Sequence, residues 1–150
     1  MKKHLFKQVS IIGMGLIGSS LALSIKKNKL AGETIGYAKS LSTRKKAKKL
    51  KLVDTVSDSL SKCVQGSDLI LICTPLSTYS KIIKNIRPHI KKDSIISDVG
   101  SAKEKSIKQM ESLLGTGIEF IPAHPIAGTE KSGPESGFAE LFMNRWCIIT

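Results

Sequence analysis

Aromatic side chains are scarce in this chain: one tryptophan, two tyrosines and four phenylalanines, 5% of all residues. Nucleic-acid modules that stack bases on aromatic platforms are therefore a poor match. Carboxylates are scarce as well, 12 against 24 Lys and Arg, which leaves a formal net charge of +12. The surplus is spread over nearly every expected helix, Lys45, Lys46, Lys48 and Lys49 included. Such a spread reads as a solvated basic surface that steers small anions inward, and no nucleic-acid partner is expected. Cysteines are few: Cys63, Cys73 and Cys147 are odd in number and form no Cys-x-x-Cys pair. Neither a disulfide scaffold nor a metal site is expected, and a reducing cytoplasm is the expected setting. Cys73 ends an apolar run and reads as a small buried hydrophobe.

Long apolar runs are missing too. No segment offers the roughly 18 uninterrupted apolar residues that a membrane span needs, so no membrane partner is expected. Val9 to Ile25, preceded by Lys2, Lys3 and Lys7, imitates an export signal. Three glycines interrupt it, and Lys26-Lys27-Asn28-Lys29 follows where small residues would mark cleavage.

What the chain does contain is alternation. Apolar runs and amphipathic stretches succeed each other throughout, the pattern of a parallel sheet covered on both faces. Strands are expected at Val9–Gly13, Thr34–Ala38, Val53–Val56, Asp68–Thr74, Ser94–Val99 and Ile118–Ala123, with a last one at Trp146–Thr150. Helices are expected at Leu16–Asn28, Ser42–Leu50 and Ser101–Leu114, with a helical turn at Leu60–Val64. Another helix opens at Pro75 and carries Ile82, Ile83, Ile86 and Ile90 on its apolar side. A chain of 150 residues suits one domain. The expected fold class is α/β, a Rossmann-type doubly wound and mostly parallel sheet over residues 1–150, ending in its last strand.

Gly13-x-Gly15-x-x-Gly18 sits between the first strand and the first helix, the context in which this spacing has a mechanism. Gly13 allows the sharp turn, Gly15 lets backbone approach a pyrophosphate, and Gly18 lets the helix pack close to the sheet. Leu16 and Ile17 contribute free N–H groups at the positive end of the helix dipole. The acidic residue that selects a ribose 2′-hydroxyl is usually about 20 residues further on. Here that position is Ala38, and Lys39, Ser40, Thr43 and Arg44 follow it. These side chains suit a 2′-phosphate, so NADP is favoured over NAD as cofactor.

Four blocks occur in order: Gly13-Met-Gly-Leu-Ile-Gly-Ser19, Ile72-Cys-Thr-Pro75, Asp98-Val-Gly-Ser-Ala-Lys103 and His124-Pro-Ile-Ala-Gly-Thr-Glu-Lys-Ser-Gly133. In residues and spacing the chain resembles the nucleotide-binding half of the prephenate/arogenate dehydrogenase family. The first two blocks are shared by many nicotinamide dehydrogenases; the last two are the specific ones. The resemblance implies oxidative decarboxylation of prephenate, or of arogenate, with hydride transfer to NAD(P)+ in tyrosine biosynthesis. It implies a small anionic substrate and a homodimer. The helical C-terminal domain through which the family dimerises is expected to be absent from these residues.

The resemblance also implies roles. His124, in a Gly-containing loop, accepts the proton of the substrate's ring hydroxyl, and histidine's ordinary titration near pH ~6.5 makes a neutral imidazole available. Ser101 orients His124 and the same hydroxyl, although Ser101-Ala-Lys-Glu104 also has the form of a capping box with Ser101 as N-cap. Thr74 and Pro75 either line the nicotinamide ribose or form a plain strand-to-helix turn. Gly100 either admits the cofactor or only permits a turn. Thr129 and Glu130 resemble positions near the substrate side chain, Glu130 being equally readable as a solvated carboxylate. His4 and His89 read as surface residues. Two other readings carry different chemistry: a β-hydroxyacid-type dehydrogenase that shares the fingerprint, and a non-catalytic nucleotide-sensing module.

Overall fold

The computed structural model describes residues 4–150; Lys2 and Lys3, at the head of the signal-like stretch, lie outside the described residues. Six parallel strands make the main sheet: β1 (Phe6–Ile12), β2 (Ala31–Tyr37), β3 (Thr55–Val56), β4 (Leu69–Ile72), β5 (Ile95–Asp98) and β6 (Glu119–Ile121). Their spatial order is β3-β2-β1-β4-β5-β6, the doubly wound Rossmann order, which reverses direction between β1 and β4. The expected α/β class, a Rossmann-type doubly wound parallel sheet, is borne out.

Helices cover both faces because the strands are apolar on both. Val9 and Ile11 of β1 join Ala22 and Ile25 of α1 (Leu16–Lys27) and Ala47 of α2 (Leu41–Lys49) in one core. Ile12, Ile70, Ile72 and Ile96 point the other way, as the period of two requires. They meet Cys63 and Val64 of α3 (Leu60–Val64), Ile82, Ile83 and Ile86 of α4 (Tyr79–Ile86), and Met110 and Leu114 of α5 (Lys103–Leu114).

Three expectations are corrected. Pro75 does not open one continuous helix: a single 3-10 turn, Leu76–Thr78, precedes α4. Ile90 lies beyond α4 in extended backbone, yet remains buried. The chain's last strand does not extend the sheet. After Pro122 the chain leaves β6 and forms β7 (Ala123–Pro125), which pairs antiparallel with β8 (Cys147–Ile149) as a separate two-stranded unit. His124 therefore sits on a strand opposite Ile148, and not in a loop.

The segment between β7 and β8 packs back on the first helix. Phe138 N–H donates to Ser20 Oγ at 3.1 Å, and Lys46 pairs with Glu135 at 2.8 Å. Gly137 is needed there, since a Cβ would come within 2.6 Å of Ser19 Cβ.

Candidate functional site

The carboxyl edge of the sheet gathers the distinctive residues. Gly13 turns off β1 at a φ of +100°, with its N–H bonded to Tyr37 O at 2.8 Å. A Cβ at this position would lie 2.5 Å from Cys73 O, so the turn is wedged against β4. At Gly18 a Cβ would fall 1.9 Å from Gly13 O, which lets α1 touch the loop that starts it. Gly15 differs from both: a Cβ there meets nothing within 4 Å.

Gly15 is the N-cap of α1, with no side-chain cap and no acidic residue in the first turn. First-turn N–H groups, those of Leu16 and Ile17 among them, have no intrahelical partner and face the open space above Gly15. The buried hydroxyl of Ser19 also lacks a partner among the described residues. Unsatisfied donors, a helix's positive end and room for approach together fit the pyrophosphate of a dinucleotide.

Beyond this cradle an open cleft of about 490 Å³ runs between β2 and β4. Its lining includes Gly13, Tyr37, Ala38, Lys39, Ser40 and Thr43 from the ends of β1 and β2 and the start of α2, and Thr74, Pro75, Thr78 and Lys81 from the turn after β4 and from α4. Ala38 is buried, and no carboxylate lines the cleft. Ser40 caps α2 by accepting from Thr43 N–H at 3.4 Å. Arg44 does not line the cleft: its guanidinium bonds to the carbonyls of Ala38 (2.8 Å) and Lys39 (3.2 Å) and lies 5.8 Å over the Tyr37 ring. It braces the β2–α2 turn whose rim carries Lys39. Thr74 accepts a hydrogen bond from Thr78 Oγ1 at 2.8 Å, which fixes the turn after β4.

At the end of β5 stands a side chain that the motif reading quoted as the start of a block but gave no role. Asp98 is fully buried, and its carboxylate collects four donors. Tyr79 OH (3.0 Å) and Gly100 N–H (3.2 Å) donate to Oδ2; Lys103 Nζ (2.5 Å) and Ala123 N–H (3.2 Å) donate to Oδ1. Lys103 also donates to Ala123 O at 2.7 Å. Burial, and then the charge of Asp98, push the Tyr79 phenol above its ordinary range, so it remains a donor. The Cys73 thiol is pushed up to about 12, first by burial and then by Asp98, which rules out a reactive thiolate at neutral pH.

His124 follows Ala123 directly, and is thereby held at the same edge of the sheet as Gly13 and Thr74. Its half-buried imidazole has no hydrogen-bond partner among the described residues. Ser101 is exposed, in the turn between β5 and α5. The expected capping box does not form: Ala102 is the N-cap of α5 without a side-chain bond, and Glu104 pairs with Lys108 at 2.7 Å. Ser101→Ala should therefore leave the melting free energy within about 0.5 kcal/mol of wild type, measured by thermal or urea unfolding. Gly100 serves packing, because a Cβ would press to 3.1 Å on both Asp98 Oδ2 and Tyr79 OH.

Thr129 and Glu130 lie exposed in the segment after β7, where Thr129 Oγ1 accepts from Lys131 N–H at 3.2 Å. His4 and His89 are exposed. No helix among the described residues is long and apolar enough to cross a membrane.

Sheet order and glycine cradle define a Rossmann-type nucleotide-binding domain. Residues 21–150 match the family described as "Prephenate dehydrogenase, nucleotide-binding domain", and the chain belongs to that family. It is 41% identical over 145 residues to a cyclohexadienyl dehydrogenase of Zymomonas mobilis, covering 97% of this chain and 49% of that protein. A prephenate dehydrogenase of Lactococcus lactis is 36% identical over 146 residues, 96% of this chain and 41% of that protein. In three dimensions the chain superposes on prephenate dehydrogenase from A. aeolicus, in complex with hydroxyphenyl propionate and NAD+, with a TM-score of 0.87 and 29% identity. That match covers 100% of this chain and 51% of the other. The chain thus spans about half the length, or less, of the relatives it matches.

Motif reading missed Asp98, Lys103 and Tyr79 as a connected group. Signals existed: a carboxylate ending an apolar strand, and a lysine five residues on. Neither is interpretable until α4 brings Tyr79, and β7 brings Ala123, to the same point.

Proposed function

We propose that this chain is the nucleotide-binding half of a dehydrogenase that oxidatively decarboxylates prephenate or arogenate in tyrosine biosynthesis, with NADP+ favoured as acceptor. The observation that carries the reading is the anchoring of β7, and so of His124, to the carboxyl edge on which the glycine cradle opens. A bound nicotinamide supplies the hydride acceptor. Gly15, Leu16, Ile17 and Gly18 would hold the pyrophosphate through backbone N–H groups, Gly13 supplying the turn with its own N–H tied to Tyr37 O, and Thr74, Pro75 and Gly100 would border the nicotinamide end. As the hydrogen on the hydroxyl-bearing ring carbon leaves as hydride, His124 takes the proton of the ring hydroxyl; the carboxylate leaves as CO2, the electron pair of the broken C–C bond completes an aromatic ring, and the phenol oxygen regains the proton. Ser101 orients the same hydroxyl, able to donate and accept at once. Thr129 and Glu130 lie on the side of the substrate's side chain. A homodimer working in the cytoplasm, on a small anion drawn in by the net charge of +12, completes the picture.

One assay tests it: nicotinamide reduction followed at 2 × 2 combinations of prephenate or arogenate with NAD+ or NADP+. Turnover on either acid, by the enzyme of which this chain is the nucleotide-binding half, is the expected result. Tight dinucleotide binding with turnover on neither would instead support a non-catalytic binding module.

The preference for NADP rests on Ala38 and on the donors around it, with Lys39, Ser40 and Thr43 on the rim and Arg44 bracing the turn. A hydrogen bond to a charged group is worth roughly 1.5–3 kcal/mol, or about 10–100-fold in affinity. Lys39→Ala is therefore expected to lower kcat/KM for NADP+ by about that factor and to leave the value for NAD+ unchanged. A wild-type chain that prefers NAD+ strongly removes this part of the proposal.

A further inference from the structure

β7 is only three residues long, and its partner strand β8 is exposed along its whole length. Pairing with such a strand cannot by itself fix where β7 sits. What ties β7 to the body of the fold is the backbone of Ala123, held on both sides of the peptide unit. Its N–H donates to Asp98 Oδ1, and its carbonyl accepts from Lys103 Nζ. The Lys103 side chain is 13% exposed and that of Asp98 0%, so both groups act in a low-dielectric setting where their geometry is well defined. The same two residues bracket the turn that carries Ser101. Asp98 Oδ2 accepts from Gly100 N–H, and Lys103 N–H donates to Ser101 O at 3.2 Å. The ion pair's side chains thus reach Ala123, immediately before His124, and Gly100, immediately before Ser101, while the Lys103 backbone holds the Ser101 carbonyl.

We propose that Lys103 is a positioning residue: paired with Asp98, it sets the spacing between the β5–α5 turn and β7, and thereby between Ser101 and His124. The role rests on the reading of those two residues as the proton-handling pair. The Lys103 ammonium is taken up by Asp98 Oδ1 and the Ala123 carbonyl. It acts through Asp98 and the Ala123 carbonyl. Among the described residues no hydrogen bond runs directly between residues 99–102 and 123–125; Asp98 and Lys103, on either side of the first segment, link it to the second through Ala123.

The test compares the full chain, Lys103→Met, and the double variant Asp98→Asn/Lys103→Met, which leaves no unpaired buried carboxylate if the single variant folds poorly. The first readout is NMR of 15N- and 13C-labelled protein, with His4 and His89 as internal references for the His124 ring. In both variants the His124 ring signals should broaden or split, and amide exchange at Ala123 and His124 should rise at least about tenfold. Amides of β1 and β4, and the Kd for NADP+, should stay within about twofold of wild type. The second readout is turnover, where a misplacement on the order of 1 Å costs about 10²-fold in kcat with little change in the KM for dinucleotide. An unaltered His124 spectrum, or exchange that rises evenly across the sheet, overturns the positioning role. A wild-type chain inactive on both acids overturns the proposed function, and the His124 spectra then still decide the clamp.

Discussion

Replacing His124 with asparagine is expected to lower kcat by roughly 10²–10⁴-fold while leaving dinucleotide affinity within about twofold of wild type. Asparagine keeps a polar group of similar reach but has no nitrogen basic enough to take a proton. Stability should barely change. The imidazole is half-buried and makes no hydrogen bond among the described residues, so its removal breaks no buried network and costs within about 0.5 kcal/mol. The clamp on Ala123 uses only backbone groups of β7 and is untouched by the substitution. Steady-state kinetics with prephenate and arogenate, beside a fluorescence titration with NADP+, separate the two effects. Turnover equal to wild type would remove His124 from the chemistry. A parallel loss of dinucleotide binding would mean that the residue supports the cradle.

The contrast between His124 and Asp98 shows which kinds of feature the sequence carries openly. The glycine loop was legible because its meaning is local: a strand, three glycines at fixed spacing and a helix stand next to one another. The six parallel strands were legible for a related reason, since runs such as Leu69–Ile72 are apolar on both faces and allow one placement. Asp98 and Lys103 were not. Lys103 closes one of the four family blocks, but nothing local in that block says that its side chain, unlike those of the solvated lysines, is drawn into a buried pair. Its environment is assembled from α4, β5 and β7, and so depends on contacts between distant segments. The capping box failed for a local reason instead. With Gly100 held in the turn by Asp98, helical geometry begins one residue later, at Lys103, and Glu104 turns outward to Lys108. The strand character of β7 was hidden by length, because three residues of which one is proline give no usable periodicity.

Two glycines of one motif are expected to fail in different ways when each is changed to alanine, and the pair separates fold from binding. At Gly18 the new methyl would stand 1.9 Å from Gly13 O and 3.2 Å from Cys73 Cβ, neither of which is the free end of a flexible chain. Helix α1 must therefore lift off the sheet, loosening the core of Val9, Ile11, Ala22 and Ile25 as it moves. Overpacking of this kind costs about 1–3 kcal/mol or more, so Gly18→Ala should unfold several degrees earlier and bind dinucleotide poorly. At Gly15 the methyl meets nothing within 4 Å and the backbone is extended, with φ of −84°, which alanine adopts freely. Gly15→Ala should thus melt with wild type. Its methyl, however, occupies the space through which a pyrophosphate would approach the first-turn N–H groups. Dinucleotide affinity should fall by about tenfold or more, a loss of at least about 1.4 kcal/mol of binding. Calorimetric melting and titration with NADP+ on both variants give the comparison. If Gly15→Ala bound the dinucleotide as tightly as wild type, the phosphates would have to lie elsewhere, and the cradle assigned to α1 would be wrong even though the fold around it is right.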